Sequence, residues 1–197
     1  MNDATTTQAG QSITDLDTPA LLVDLDIMAA NIARTAAECR ANAIAWRPHI
    51  KGQKTPEIVH QEIAAGAIGA TCAKLGEAEI MAQAGITDLL IANQIVGSPK
   101  IARLIALLDR ADVKVACDST ANATALGAAA HQAGKTLGVI IEVNTGMNRA
   151  GTEPGEASLA LARHIAATPG LKLRGVMGWE AHTVALQDPA EKQAAIA

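Results

Sequence analysis

The stretch AIAWRPHIKGQKTP, residues 43–56, sets the reading of the fold. It divides into an extended run, 43–50, and a helix start at Thr55-Pro56, where a hydroxyl that can cap precedes a proline at the first helical position. Side chains along a strand alternate between two faces. Ile44, Trp46, Pro48 and Ile50 share one face and are apolar, whereas Ala45, Arg47, His49 and Lys51 share the other, where three of the four are basic. A barrel strand accounts for both faces, with its outer side on helices and its inner side in the interior. Basic groups directed into an interior are costly unless something anionic lies beside them.

Outward from this segment, one unit recurs: a short apolar run, a polar loop, and a helix-like stretch that closes on glycine. Gly66, Gly85, Gly134 and Gly170 stand where helices are expected to end, the position that tolerates a left-handed stop. Ser98-Pro99 repeats the start signal of Thr55-Pro56. The 3.6-residue period is visible over 99–110, where Ile101, Leu104, Ile105 and Leu108 share a face, and over 26–41, where Met28, Ile32 and Cys39 do. Strands are expected at 20–24, 43–50, 68–73, 88–92, 113–117, 137–143 and 173–179. This alternation predicts an α/β fold with a parallel sheet and helical crossovers.

Two architectures fit that alternation. A doubly wound sheet announces itself with a glycine-rich phosphate turn, and neither G-x-G-x-x-G nor G-x-x-x-x-G-K occurs. A (β/α)8 TIM-type barrel instead scatters polar residues over the C-terminal ends of many strands. Here those ends carry His49 and Lys51, Lys74, Asn93 and Gln94, Asp118, Asn144, and Glu180 with His182. The expectation is a partial barrel of about six βα units, with the last strands and any C-terminal β domain missing. Residues 1–14 read as a polar tail and 15–197 as one incomplete barrel domain.

Composition narrows the function classes. Lys plus Arg is 16 against 20 Asp plus Glu, a formal charge of −4, which argues against nucleic acid as a partner. No apolar run approaches the roughly 20 residues of a membrane helix, and the N-terminal residues lack the pattern of an export signal. A soluble, cytoplasmic protein is expected. Cys39, Cys72 and Cys117 form neither a zinc spacing nor a disulfide framework and read as structural thiols. The chain has two Trp, no Tyr and no Phe, so no tyrosine acid or base can come from it.

On residue pattern alone, Lys51 reads in two ways. It is a strand-end lysine reaching water, with His49 a satisfied histidine, or it is an amine in a basic hollow suited to a phosphorylated, phenolate-bearing cofactor, where a neutral amine can attack an aldehyde. Asp118-Ser119-Thr120 reads as a helix cap. His60, His131 and His164 read as solvated helix residues, and Lys74 as a residue of the cavity mouth.

Four segments in order, DTPALLVDLDIMAANI (17–32), RPHIKGQKTPEI (47–58), CAKLGEAEIMAQAG (72–85) and IEVNTGMNRAG (141–151), resemble the N-terminal barrel of fold-type III pyridoxal-phosphate enzymes, the alanine-racemase-like group. The branch resembled is that of D-threonine aldolase and D-serine dehydratase, which includes hydroxyaspartate aldolases. The likeness runs from Asp17 to His182. It implies that Lys51 holds the cofactor as an aldimine, with Lys54 as the second lysine of the element and Gln53 where a histidine often stands. It also implies that Arg149 bonds the cofactor's phenolic oxygen, with Asn144 where the family has aspartate. Trp179, in GVMGWEAHT (175–183), falls where relatives carry a tyrosine near the ring, and His49 joins the cofactor-binding set.

The implied function is that of a pyridoxal 5′-phosphate-dependent lyase on D-amino or 3-hydroxy amino acids, by aldol cleavage or dehydration. An amino-acid racemase, or a non-catalytic pyridoxal-phosphate-binding fragment, is the alternative. The resemblance further implies a small amino-acid substrate, a homodimer for the full-length protein, and a divalent metal held through the missing C-terminal domain, with no metal set in this chain. Taken alone, the chain is expected to have little or no activity.

Overall fold

The apolar runs read as strands are short, rich in Val, Ile and Leu, and separated by helices closed by glycine. In the computed structural model, which describes residues 10–196, five of them form one parallel sheet: β1 (Ala70–Cys72), β2 (Asp88–Gln94), β3 (Asp112–Cys117), β4 (Leu137–Val143) and β5 (Leu171–Gly178). The spatial order is β1-β2-β3-β4-β5, the same as the order along the chain. A doubly wound sheet reverses its strand order at a switch point; this sheet does not reverse, as expected of a barrel.

The helices between the strands are α3 (Leu75–Gln83), α4 (Ser98–Leu107), α5 (Thr120–Gln132) and α6 (Glu156–Ala167), preceded by α1 (Leu25–Ala41) and α2 (Pro56–Ala64) and followed by α7 (Pro189–Ile196). α3 packs on α4, α4 on α5 and α5 on α6, which places them side by side on one face of the sheet. The core lies between those helices and that face. It includes Leu89 and Ile91 of β2, Val113, Val115 and Cys117 of β3, and Leu137, Val139 and Ile141 of β4. Among the described residues no helix is long and apolar enough to cross a membrane.

The segment expected as strand 43–50 runs parallel to β1 but pairs sparsely. Its bonds are Ile68 N to Trp46 O (2.8 Å), Thr71 N to Pro48 O (2.8 Å) and Ile50 N to Thr71 O (2.9 Å), with a single bridge at His49. Ile50 is fully buried and anchors the segment to the core. Residues 20–24 differ from expectation. They form no ladder, and Leu21, Leu22 and Val23 are exposed. An open groove of about 940 Å3, lined by Leu22, Val23, His49 and Glu62 among others, separates them from 46–50. As a strand this segment would gain one ladder with no neighbour behind it; as extended chain it delivers Asp24 to cap α1, with Ile27 N donating to Asp24 Oδ1 at 3.0 Å.

Two helix starts also differ. Gly97, at φ +85°, caps α4, so Ser98 is its first helical residue. The Thr55 hydroxyl donates to Gln53 O (2.7 Å) and leaves the start of α2 without a side-chain cap. Ser119 caps α5 as read, accepting from Asn122 N. The expected tail at 1–9 lies outside the described residues, and 13–15 form a short 3-10 turn capped by Ser12.

The sheet face opposite the helices carries a row of charges at the N-terminal ends of the strands. Arg47 Nη1 donates to Asp88 Oδ1 (2.7 Å), Lys114 Nζ contacts Asp88 Oδ1 (2.5 Å) and Asp112 Oδ2 (2.7 Å), and Arg174 reaches Asp112 at 3.6 Å. Lys114 is only 5% exposed. Glycines make room for the row: a Cβ on Gly69 would lie 2.6 Å from Arg47 Nη1, and one on Gly138 would lie 3.2 Å from the stems of both Lys114 and Arg174. Burial alone pushes the Asp88 carboxyl up, but the bonds and charges of Arg47 and Lys114 outweigh it and hold Asp88 below the usual aspartate range.

A carboxyl held low contributes stability that is present above its unfolded pKa and lost as pH falls through its folded one. Lys114→Met keeps the volume and leaves Asp88 and Asp112 without their shared cation. It is expected to cost about 1–3 kcal/mol in urea unfolding at neutral pH and to flatten the acid limb of the stability–pH curve. An unchanged midpoint and acid limb would show that the row contributes nothing.

Candidate functional site

At the opposite, C-terminal ends of the strands the polar residues named from the sequence gather at one mouth. The backbone of 46–50 brings His49 and Lys51 up beside β1. The Lys51 amide donates to His49 Nδ1 (3.2 Å), which fixes the ring relative to the lysine. Lys51 Nζ lies over the Trp179 ring, 5.3 Å from its centroid, and so joins the second strand-like segment to the end of β5. Among the described residues Lys51 has no ion-pair partner.

Lys54 is placed differently. It stands at φ +53° and its Nζ donates to Glu77 Oε1 at 2.5 Å. Glu77, 8% exposed, also accepts from Ala73 N (2.7 Å) and Lys74 N (3.3 Å) through Oε2, and so caps α3 while it holds the Lys54 ammonium. Burial pushes Glu77 up, but the Lys54 bond and the two amides outweigh it and hold the carboxyl below its ordinary value. His49 is also held below its ordinary value, by partial burial and then by the charge of Lys51, with Glu77 opposing and Lys54 adding to the effect. Thus the two lysines of one short element are separated: one is committed to a buried carboxylate and the other is free.

Arg149 sits on the loop 144–151 after β4. Its guanidinium is 3.8 Å from Glu142 Oε1. Arg149, Trp179, Asn144, Thr145 and Glu142 line one tight crevice, so the Arg149 and Lys51 sites meet at Trp179. Asn144 organises the loop. Its Oδ1 accepts from Gly146 N (3.2 Å) and Asn148 N (3.0 Å), and its Nδ2 donates to Asn148 Oδ1 (2.8 Å) and Glu153 Oε1 (3.0 Å). An aspartate at 144 would set two carboxylates face to face, which is the local reason an amide suits this position. His182 packs on the same loop, close enough that a Cβ on Gly146 would lie 2.8 Å from its Nε2. Its Nδ1 is buried without a hydrogen-bond partner.

Glu142 and Glu77 are not singled out as site residues by the sequence, and Gln94 is named only as a strand-end polar residue. The signal for Glu142 was present, because it is the one charge in LGVIIEV and has the parity of the interior face. The two buried thiols contribute no nucleophile. Burial and the charge of Glu77 push Cys72 up to about 12, and burial raises Cys117 as well.

The sequence matches the family profile of the alanine racemase N-terminal domain over residues 23–197, and the chain belongs to that family. It is 36% identical over 172 residues to a D-threonine aldolase of an Arthrobacter species, covering 87% of this chain and 45% of that protein. It is likewise 36% identical over 183 residues to D-threo-3-hydroxyaspartate dehydratase of Delftia sp. HT23, covering 91% and 47%. The crystal structure of D-threonine aldolase from Filomicrobium marinum superposes with a TM-score of 0.90 at 39% identity, over 93% of this chain and 50% of that one. The chain thus spans about half the length of the relatives it matches, and those relatives are lyases by name.

Glu77→Gln keeps a group that can accept from the two α3 amides and removes the charge paired with Lys54. Because Glu77 is held low, the stability it contributes is present above the ordinary glutamate range and lost as pH falls through the depressed value. The variant is expected to lose about 1 kcal/mol at neutral pH, with the difference from the unmutated chain vanishing in acid. Urea titrations at several pH values check this; a pH-independent difference would contradict it.

Proposed function

We propose that this chain forms the cofactor-holding part of a pyridoxal-phosphate-dependent lyase acting on D-amino or 3-hydroxy amino acids, with Lys51 as the amine that carries the cofactor. The observation that carries the reading is the division of labour between the lysines, because Glu77 occupies Lys54 and leaves Lys51 over Trp179. The names of the relatives, an aldolase and a dehydratase, support both cleavage at Cα–Cβ and loss of a β-hydroxyl.

The residues present fit the cofactor by their chemistry. Lys51 offers an amine for an aldehyde, Arg149 offers fixed N–H donors for a phenolate oxygen, and Trp179 offers an aromatic face between them. When bound, pyridoxal phosphate supplies the ring that takes up electrons released at the substrate's Cα. The protein's own part is to hold and orient. Arg149 would present its N–H donors to the phenolic oxygen of the bound cofactor, because a guanidinium donates and does not accept. Glu142, buried beside it, supplies the opposite charge that draws the half-exposed guanidinium toward the end of β4. Lys51, with its amide bonded to His49, is directed across the mouth and is the group placed to take up or return a proton where the substrate amine binds. Among the described residues no three His, Cys, Asp or Glu side chains come together for a metal; a divalent metal in the reaction would be held by residues outside this set, and no step here runs through one.

Incubating the chain with pyridoxal phosphate, fixing the adduct with borohydride and mapping it by mass spectrometry tests the assignment. The label is expected on Lys51, retained in Lys54→Ala and lost in Lys51→Ala. A label on Lys54, or one spread evenly over surface lysines, would overturn it.

A further inference from the structure

The loop that carries Arg149 is tied to the sheet by side chains as well as by its neck. At the neck, Asn144 N donates to Thr152 O (2.8 Å) and Thr152 N to Glu142 O (2.9 Å). Further out, Gly151 N donates to Asp118 Oδ2 (3.2 Å) and Arg149 reaches Glu142. Gly151 has φ +103°, and a Cβ there would lie 2.7 Å from Asn144 N, so the chain passes close to the neck at this point.

The two carboxylates that receive the loop, Asp118 at the end of β3 and Glu142 on β4, are bridged by one neutral group. Gln94 Nε2 donates to Glu142 Oε2 at 2.6 Å and to Asp118 Oδ2 at 3.1 Å. The amide nitrogen has two hydrogens and no charge, and it spends one on each carboxylate. Gln94 closes β2 after a register shift between Ile91 and Gln94, which sets it opposite Ala116 of β3.

We infer that Gln94 is a positioning residue for Arg149: by holding Asp118 and Glu142 together, its amide fixes the loop 144–151 at Gly151 and at the Arg149 guanidinium. Its consequence for the cofactor rests on the reading of Arg149 given above, but the positioning itself does not. Without the amide, the two carboxylates repel each other and Glu142 turns toward Arg149 alone, while Asp118 is freed from its fixed angle to the Gly151 amide.

The test uses Gln94→Met, which keeps the length of the side chain and removes both donors, and Gln94→Asn, which keeps the amide on a stem too short to reach both carboxylates, in case Gln94→Met fails to fold. Amide hydrogen exchange is the first readout. The Gly151 amide is expected to exchange about tenfold faster in either variant, the loss of about one hydrogen bond, with the amides of α5 and α6 unchanged. Exchange at Gly151 within twofold of the unmutated chain in a folded variant would overturn the inference.

The second readout is the pH midpoint of the visible absorbance of the chain loaded with pyridoxal phosphate. A shifted midpoint in Gln94→Met together with faster loop exchange is expected. Faster exchange with an unmoved midpoint would uphold the positioning and sink the assignment of Arg149 to the cofactor. An unmutated chain with no such absorbance would sink the cofactor reading, and the exchange result would still decide the positioning.

Discussion

With the crossover helices α3 to α6 packed side by side on one face of the sheet, the other face must be filled by side chains of the strands themselves. That constraint shapes both ends of the molecule. Residues of one parity on β2, β3 and β4 go to the helices and are Leu, Ile and Val, with Cys117 closing β3. Those of the other parity face their counterparts across the interior, so any charge among them must find its partner there.

The two ends meet the constraint differently. At the N-terminal ends of the strands these charges close on one another, Arg47 with Asp88, Lys114 with Asp88 and Asp112, and Arg174 with Asp112. At the C-terminal ends three acids are engaged, while Lys51 and Lys74 have no carboxylate partner among the described residues. Glu77 holds Lys54, Glu142 holds Arg149, and Gln94 joins Glu142 to Asp118. Lys51 remains, covered by an indole face rather than a carboxylate. An unpaired amine over an aromatic ring whose crevice a guanidinium also lines is the arrangement that gives this end its proposed chemistry.

The fold was legible where local pattern and tertiary packing agree. LGVIIEV is apolar on one parity and bounded by glycine and asparagine turns, and its strand, Leu137–Val143, has the bounds read from the sequence. Residues 20–24 are as apolar as that strand but remain unpaired, because local composition does not supply a neighbour. Ser98-Pro99 looked like a cap and a first turn, yet Gly97 took the cap, since a glycine at positive φ turns the chain into the helix one residue earlier. In the site, the basic parity of 43–51 was visible, whereas the choice between Lys51 and Lys54 was not, because it depends on Glu77, 23 residues away. Gln94 was invisible as a bridge because its partners, Asp118 and Glu142, lie 24 and 48 residues away along the chain.

The central claim is that Glu77 commits Lys54 and leaves Lys51 available. Lysine footprinting of the folded chain with a small amine-reactive reagent, read residue by residue in mass spectrometry, measures it directly. The account predicts faster modification of Lys51 than of Lys54, with the gap closing in Glu77→Gln. Lys54 reacting as fast as Lys51 in the unmutated chain would contradict it.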